Sequence, residues 1–459
     1  FVIYPRQIKN KATGEIYIEN YDKLVLSPGA EPINPFKGVK SDRIFTIRNV
    51  KDAEKVKTFI ENNNPKSAVI VGGGYIGVEM AENLSEYTME VSIVEKAPHL
   101  ISIIDNDMAH FIHKEIKKHG VKVYVNEGVN KIEEHEKLLL TLDNGKIETD
   151  LVILCIGVRP ETNLAEESGI NTNEKGAIIV NNKMQTSNKD IYALGDAVEV
   201  KNTITGERNG IALAGPANRQ ARIVANNING IESSYEGFIG SSILKIFNYS
   251  LGIVGLSERA CKNLDIPYKI MIISPYSHAT YYPGAKMLTI KAIYNSKTSQ
   301  ILGAYVWGKS SVDKITDILS VAIQNKMGAA DISALELCYA PPYSSAKSPV
   351  NILGNAIENE MNELVDTIAV EELKNKENLY ILDVRTIEEY NISHIEGAIN
   401  IPLDELRENI EKLDKSKEII VHCHSGLRSY LACRILKQKG YNVKNLIGGY
   451  IMYDIMKNK

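Results

Sequence analysis

The chain has 459 residues, a net charge of −4, and 44% hydrophobic and 24% charged residues. That length calls for about two to four domains and that composition for soluble globular cores, while the mild acidity argues against nucleic acid or an anionic membrane as partner. Apolar runs such as Leu151 to Val158 are too short to span a bilayer, and five scattered cysteines (Cys155, Cys261, Cys338, Cys423, Cys433) form no disulfide framework, so a reducing cytoplasm is expected.

In chain order, Phe1-Val2-Ile3-Tyr4 reads as mid-strand rather than as a signal peptide. Ile16-Tyr17-Ile18 and Lys23-Leu24-Val25-Leu26 read as further strands, the second stopping sharply at Ser27-Pro28-Gly29-Ala30. From Ser67 the pattern becomes strand, glycine turn, helix, strand, which signals a parallel sheet. Strands are predicted at Leu151 to Ile156, Ala177 to Val180 and Ile191 to Leu194, with a polar helix from Pro216 to about Asn229. Past Gly240 the pattern turns antiparallel, with strands at Ser242 to Phe247, Lys269 to Ile273, Met287 to Tyr294 and Ile301 to Val306. An amphipathic helix, Val312 to Asn325, a Pro/Ser/Tyr-rich loop and a helical stretch near Asn351 to Leu364 lead into a last strand–helix–strand–helix segment over 366–459.

Val69-Ile70-Val71-Gly72-Gly73-Gly74-Tyr75-Ile76-Gly77 places GxGxxG between a β-branched strand and a helix. Gly72 permits the tight turn, Gly74 lets a pyrophosphate approach the backbone, and Gly77 lets helix and strand pack closely. The helix N-terminus offers free N–H groups and partial positive charge to the phosphates, and Glu79 on the same helix is counted with the contacts. The next strand, Val91 to Val94, delivers Glu95 where a carboxylate accepts ribose hydroxyls. Glu95 would repel a 2′-phosphate and so favours NAD(H), although Lys96 beside it acts the other way.

Thr186 followed by Ile191-Tyr192-Ala193-Leu194-Gly195-Asp196 resembles the second FAD motif of the pyridine-nucleotide disulfide oxidoreductases. Ser27 to Ala30 resembles that family's crossover loop, and Cys155-Ile156-Gly157-Val158-Arg159-Pro160 its return strand. The resemblance implies FAD held at Gly157, Gly195 and Asp196, with Asp196 on the ribitol hydroxyls. His278 to Gly284 and Tyr339 to Ala346 are similar to segments of coenzyme A-disulfide reductases and related NADH oxidases. In that subgroup two tyrosines, mapped here to Tyr281 and Tyr339, reach the partner subunit's active site, which implies a homodimer. Family members open with a GxGxxG that grips the FAD pyrophosphate, followed by a redox cysteine. No cysteine precedes Cys155, which reads as a core thiol, so the parent is expected to extend about eighty residues upstream.

Val421-His422-Cys423-His424-Ser425-Gly426-Leu427-Arg428-Ser429 follows a strand and opens a helix. Loop N–H groups, the helix dipole and Arg428 all favour a thiolate at Cys423, a nucleophile able to carry a persulfide sulfur. Such a cradle also suits phosphate, as in CxxxxxR phosphatases. Only His424-Ser425-Gly426-Leu427 separate Cys423 from Arg428, however, a tighter loop that resembles sulfurtransferases. Leu382-Asp383-Val384-Arg385, Glu389-Tyr390 and His394 to Pro402 complete a rhodanese-like pattern, in which Asp383 and Arg385 are expected to brace the loop and Cys433 to pack.

The predicted fold class is α/β. It comprises a partial FAD-binding domain (1–47 and 148–238), a complete NAD-binding Rossmann-like domain (48–147), an α+β dimerisation domain (239–346), a linker (347–365) and a rhodanese domain (366–459). The implied activity is reduction of a disulfide or persulfide, such as a coenzyme A derivative, with FAD and NAD(H) as cofactors and no metal. NADH oxidase or peroxidase activity, or a nucleotide-binding redox or sulfur sensor, are the alternatives.

Overall fold

A computed structural model describes residues 6–373 and 379–457, so the strand expected at Phe1 to Tyr4 lies outside the described residues. The chain divides into two compact units, Phe1–Ile33 with Gly157–Phe238, and Asn34–Ile156 with Ile239–Lys459.

In the second unit, five parallel strands stand in the order Ile44–Thr46, Leu151–Leu154, Ser67–Val71, Glu90–Glu95, Lys122–Val125. Leu151–Leu154 was expected in the flavin-side half but belongs here, between Ile44–Thr46 and Ser67–Val71. Four consecutive buried apolar residues need cover on both faces and a neighbour on both edges, which the middle of a parallel sheet provides. The chain therefore crosses between units at Ile33–Asn34 and Ile156–Gly157, and again at Phe238–Ile239. Sequence periodicity also missed an antiparallel meander, Val129–Glu134, Leu138–Leu142 and Gly145–Thr149, whose Ile132, Leu138, Leu140 and Leu142 pack on Val69, Val71 and Val152. The Leu138-Leu139-Leu140 run hides the alternation that would have revealed it.

The same unit holds an antiparallel sheet in the order Ser242–Ile246, Tyr249–Gly255, Ile301–Gly308, Leu288–Asn295, Tyr268–Ile273, flanked by helices Val312–Gln324 and Pro349–Met361. Ser348 caps the second helix, accepting from the backbone N–H groups of Val350 and Asn351, and Pro349 at the first position needs no N–H there. A third five-stranded sheet, all parallel, runs Asp366–Ile368, Asn442–Leu446, Glu418–His422, Tyr380–Asp383, Ile399–Asn400.

In the first unit, strand Leu24–Leu26 pairs in parallel with Ile191–Ala193, and Ala30–Pro32 pairs antiparallel with Val158–Pro160. Ile178–Ile179 is all that forms of the strand expected at Ala177 to Val180. Helix Ala214–Ile228 begins two residues before Pro216, which its first turn tolerates. Strand Ile16–Glu19 pairs with Arg6–Lys9, and every residue of Ile16–Glu19 is exposed. Among the described residues no helix is long and apolar enough to cross a membrane.

Candidate functional site

The glycine loop has the geometry that its residue types require. Gly72 has φ +105°, and a Cβ there would lie 2.4 Å from the Cys155 carbonyl oxygen. A Cβ on Gly77 would come within 2.0 Å of the Gly72 carbonyl oxygen, so helix Tyr75–Ser85 can pack this closely only on glycine. A Cβ on Gly74 would meet nothing within 4 Å. That face of the helix N-terminus, which has no side-chain cap, is open and fits a pyrophosphate. Glu95 ends its strand as expected, but its carboxylate already accepts from the backbone N–H groups of Gly73 and Ala97, each at 2.6 Å. It therefore shapes the loop as well as offering its remaining lone pairs to a ribose. Glu79 stands exposed on the helix.

In the other unit, Gly195 has φ +79° and opens a single 3₁₀ turn, Gly195–Ala197, that carries Asp196. The Gly195 N–H donates to Gln220 Oε1 at 2.8 Å, which ties the turn to helix Ala214–Ile228, itself without a side-chain cap. Gly157 has φ +110°, and its carbonyl accepts from the Ile33 N–H. A tight acidic turn beside an uncapped helix start fits a polyhydroxylated cofactor chain. The Cys155 thiol is pushed up to about 12 by burial, which suits a packed core residue.

Tyr281 and Tyr339, far apart in sequence, meet with their hydroxyls 2.7 Å apart, and both are exposed. Their two loops are joined where the Ala279 N–H donates to the Ser344 carbonyl. The hydrogen bond that Tyr339 shares with Tyr281 raises the Tyr339 phenol above its ordinary value.

Cys423 is buried at the end of strand Glu418–His422, and its sulfur accepts from the Gly426 N–H at 3.1 Å and faces the Ser429 hydroxyl at 3.5 Å. Helix Leu427–Gln438 starts from this loop, with Gly426 at φ +102° as its N-cap. From behind, the Tyr450 N–H donates to the Cys423 carbonyl and the Ile451 N–H to that of His424. Asp383 and Arg385 pair with each other in the interior, with the Arg385 Nη2 2.6 Å from Asp383 Oδ2 and donating also to the Ser393 carbonyl, while Asp383 Oδ2 lies 3.5 Å from the Nε2 of His422, the residue before Cys423. Arg428 is not the bare cation expected. Its guanidinium grips Glu389 through two contacts, at 2.6 and 2.7 Å, which hold the Glu389 carboxyl down at about 2.

The pyridine nucleotide-disulphide oxidoreductase pattern matches residues 5–221, its dimerisation domain residues 241–349, and a rhodanese-like domain residues 367–453. A coenzyme A disulfide reductase of Staphylococcus aureus (strain NCTC 8325 / PS 47) is 35% identical over 349 residues, covering 76% of this chain and 78% of that protein. The chain belongs to the pyridine nucleotide-disulphide oxidoreductase family. The reduced CoADR-RHD of Bacillus anthracis superposes on this reductase with a TM-score of 0.92 at 43% identity, covering 98% of this chain and 82% of that one. A NAD-dependent persulfide reductase from A. fulgidus superposes with a TM-score of 0.91 at 34% identity over 96% and 82%.

FAD and a nicotinamide dinucleotide are the cofactors of the reductase family. At the nucleotide loop, Glu95→Ala removes the acceptor for two loop N–H groups and for a ribose, so a rise in the KM for NADH of about tenfold is expected, with a narrowed preference over NADPH. Gly77→Val forces a side chain against the Gly72 carbonyl and should weaken NADH use further. Unchanged constants for both nucleotides in both variants would refute the site.

Several functional neighbours in the reductase escaped sequence reasoning. Glu389 was legible as part of a motif but not as the partner of Arg428. Gln220, which anchors the Gly195 turn, gave no signal. His422 is wholly buried, and its ring is pushed down to about 4 by burial, against the opposing pull of Asp383. Because the folded value lies below the unfolded one, this contribution is complete above about pH 6.5 and is lost as pH falls through about 4, on the order of 3 kcal/mol. Melting curves of wild type and His422→Gln across that window should converge toward low pH, and parallel curves would count against it.

Proposed function

We propose that the reductase uses NADH to reduce a coenzyme A disulfide, coenzyme A persulfide or polysulfide, while Cys423 takes up or hands over the sulfane sulfur. The observation that carries this reading is the presence, in one unit, of the Gly72–Gly77 cradle and of a Cys423 loop whose Gly426 N–H is directed at the sulfur. FAD, when bound, supplies the relay between a two-electron hydride donor and a sulfur–sulfur bond. Gly74 and the first turn of helix Tyr75–Ser85 hold the pyrophosphate, Glu95 holds the ribose, and Asp196 holds the ribitol.

Cys423 acts as a nucleophile, with the loop N–H stabilising charge on sulfur. The Tyr281–Tyr339 pair offers a phenol O–H to a thiolate, and within a homodimer it would serve the partner subunit's site. The similarity to a coenzyme A disulfide reductase and to a persulfide reductase supports the substrate class, and the unpaired cysteines suit a reducing cytoplasm. The test is product analysis on the purified protein with NADH and coenzyme A persulfide under exclusion of air. Release of one sulfide per NADH is expected. Water or peroxide formed from oxygen in its place would make the protein an oxidase, and no steady turnover with any acceptor would make it a sensor.

A further inference from the structure

We propose that Glu389 sets which sulfur donors the Cys423 loop accepts: by pairing with Arg428 it removes the positive charge at the mouth and turns the site away from dianionic donors. The inference rests on the sulfurtransferase reading of Cys423.

Glu389 lies in the first turn of helix Ile387–Ile392, and Arg428 in the first turn of helix Leu427–Gln438. Their contact is a fork on a fork, Nη1 to Oε2 at 2.6 Å and Nη2 to Oε1 at 2.7 Å. Glu389 is fixed from its own side as well. It completes a capping box, its Oε2 accepting from the Thr386 N–H and its N–H donating to Thr386 Oγ1. Arg428 is the second residue of the helix whose N-cap, Gly426, donates its N–H to the Cys423 sulfur, so the ion pair belongs to the loop that holds the nucleophile.

The other nearby guanidinium, Arg385, is matched by Asp383. Burial lowers the His424 ring below its ordinary value, which keeps it neutral near pH 7. The two helices that carry the pair also bear exposed apolar side chains, Leu427 and Leu431 on one and Ile387 on the other. Positive potential for the donor thus comes from backbone N–H groups rather than from a free guanidinium. Such a mouth suits a sulfane sulfur carried on a neutral or singly charged organic end.

In the transfer, the Cys423 thiolate attacks the outer sulfur of the donor and forms a new S–S bond. The donor's own bond to that sulfur breaks and its electron pair leaves with the remainder, as sulfite from thiosulfate or as methanesulfinate from methanethiosulfonate. Cyanide then removes the sulfur as thiocyanate and restores the thiolate. The two donors share this chemistry and differ by one negative charge and by a methyl in place of an oxygen, so the change in the ratio of their kcat/KM values on a charge substitution, with the apolar side chains left in place, reads charge selection.

On the full chain, Glu389→Gln is expected to raise the thiosulfate-to-methanethiosulfonate ratio about three- to tenfold, mostly through the KM for thiosulfate, and the gain should shrink in high salt. Gln retains an oxygen for the Thr386 cap. Arg428→Gln exposes the Glu389 carboxylate and should lower the same ratio by a similar factor, so it carries the test on its own if the first variant does not fold. Ratios that stay within about twofold of wild type, or that move in the same direction in both variants, overturn the inference while leaving sulfur transfer intact. A wild type that transfers sulfur from neither donor overturns the sulfurtransferase reading and this inference with it.

Discussion

Cys423→Ser is expected to lower sulfur transfer from thiosulfate to cyanide to below about one part in a thousand, because a serine hydroxyl is neither ionised near neutral pH nor able to hold a sulfane sulfur. The fold should survive. The side chain is buried but nearly isosteric, and the Gly426 N–H and Ser429 hydroxyl that face Sγ can hydrogen-bond an Oγ instead. A change in stability within about 1 kcal/mol is therefore expected. Cys433 is the control. It is buried in the same core, its thiol is raised by that burial, and Cys433→Ala should retain most of the transfer rate. Transfer that persists in the serine variant, measured as thiocyanate formed, would place the nucleophile elsewhere.

Lys291→Met is expected to cost about 3–5 kcal/mol of stability. Lys291 lies on strand Leu288–Asn295 and is wholly buried. Its ammonium stands 2.9 and 2.7 Å from the two oxygens of Asp107, 2.5 Å from Glu258 and 3.2 Å from Asp105. Those three acids are close enough together to suggest a cation site, and the ammonium fills that place. Burial opposes the charge on Lys291, but the carboxylates outweigh it and hold the amine above its ordinary value.

The cluster joins separate parts of the unit. Asp105 and Asp107 belong to the start of helix Asn106–Lys118 in the nucleotide-binding part, and Glu258 belongs to helix Glu258–Asn263, which connects strands Tyr249–Gly255 and Tyr268–Ile273 of the antiparallel sheet. Glu371 faces it from the sulfurtransferase segment, its carboxyl raised by burial and by Asp107. Loss of the amine leaves several carboxylates in low dielectric without a cation. Adding Asp107→Asn to Lys291→Met should recover part of the loss. The exposed pair Lys122–Glu90 offers the contrast, since Lys122→Met should leave stability nearly unchanged. Equal small effects at both lysines in urea titrations would show the buried cluster to be dispensable.

Much of the candidate site was legible in the sequence because its chemistry is local. The Gly72–Gly77 loop and the Cys423 loop are each a strand, a turn and a helix within about a dozen residues, and a few side chains dictate the backbone path. Gly72 and Gly426 take left-handed φ values, and a Cβ at Gly77 would strike a carbonyl, so the residue types report the geometry directly. The family resemblance read from Ile191 to Asp196, Ser27 to Ala30, Cys155 to Pro160 and the Cys423 loop carried the fold class and the cofactors with it. Less was legible where strands had to choose neighbours. Leu151–Leu154 reads as a buried strand anywhere in an α/β chain, and only pairing with Ile44–Thr46 and Ser67–Val71 assigns it to the nucleotide sheet.

The sequence by itself determined the turns, the glycine loop between strand and helix, the setting of Cys423 between strand and helix, and the order of modules, because each depends on contacts between residues close along the chain. The tertiary structure decided how charges were matched. Arg428 reads as a cation beside a thiol until helix Ile387–Ile392 brings Glu389 against it, and Lys291, wholly buried on strand Leu288–Asn295, is matched only because three acids from other segments converge on it. A buried charge is tolerated only with its partner. The partner is chosen by which elements pack side by side, and that is set by the burial of whole sheets and helices rather than by the sequence around the charge.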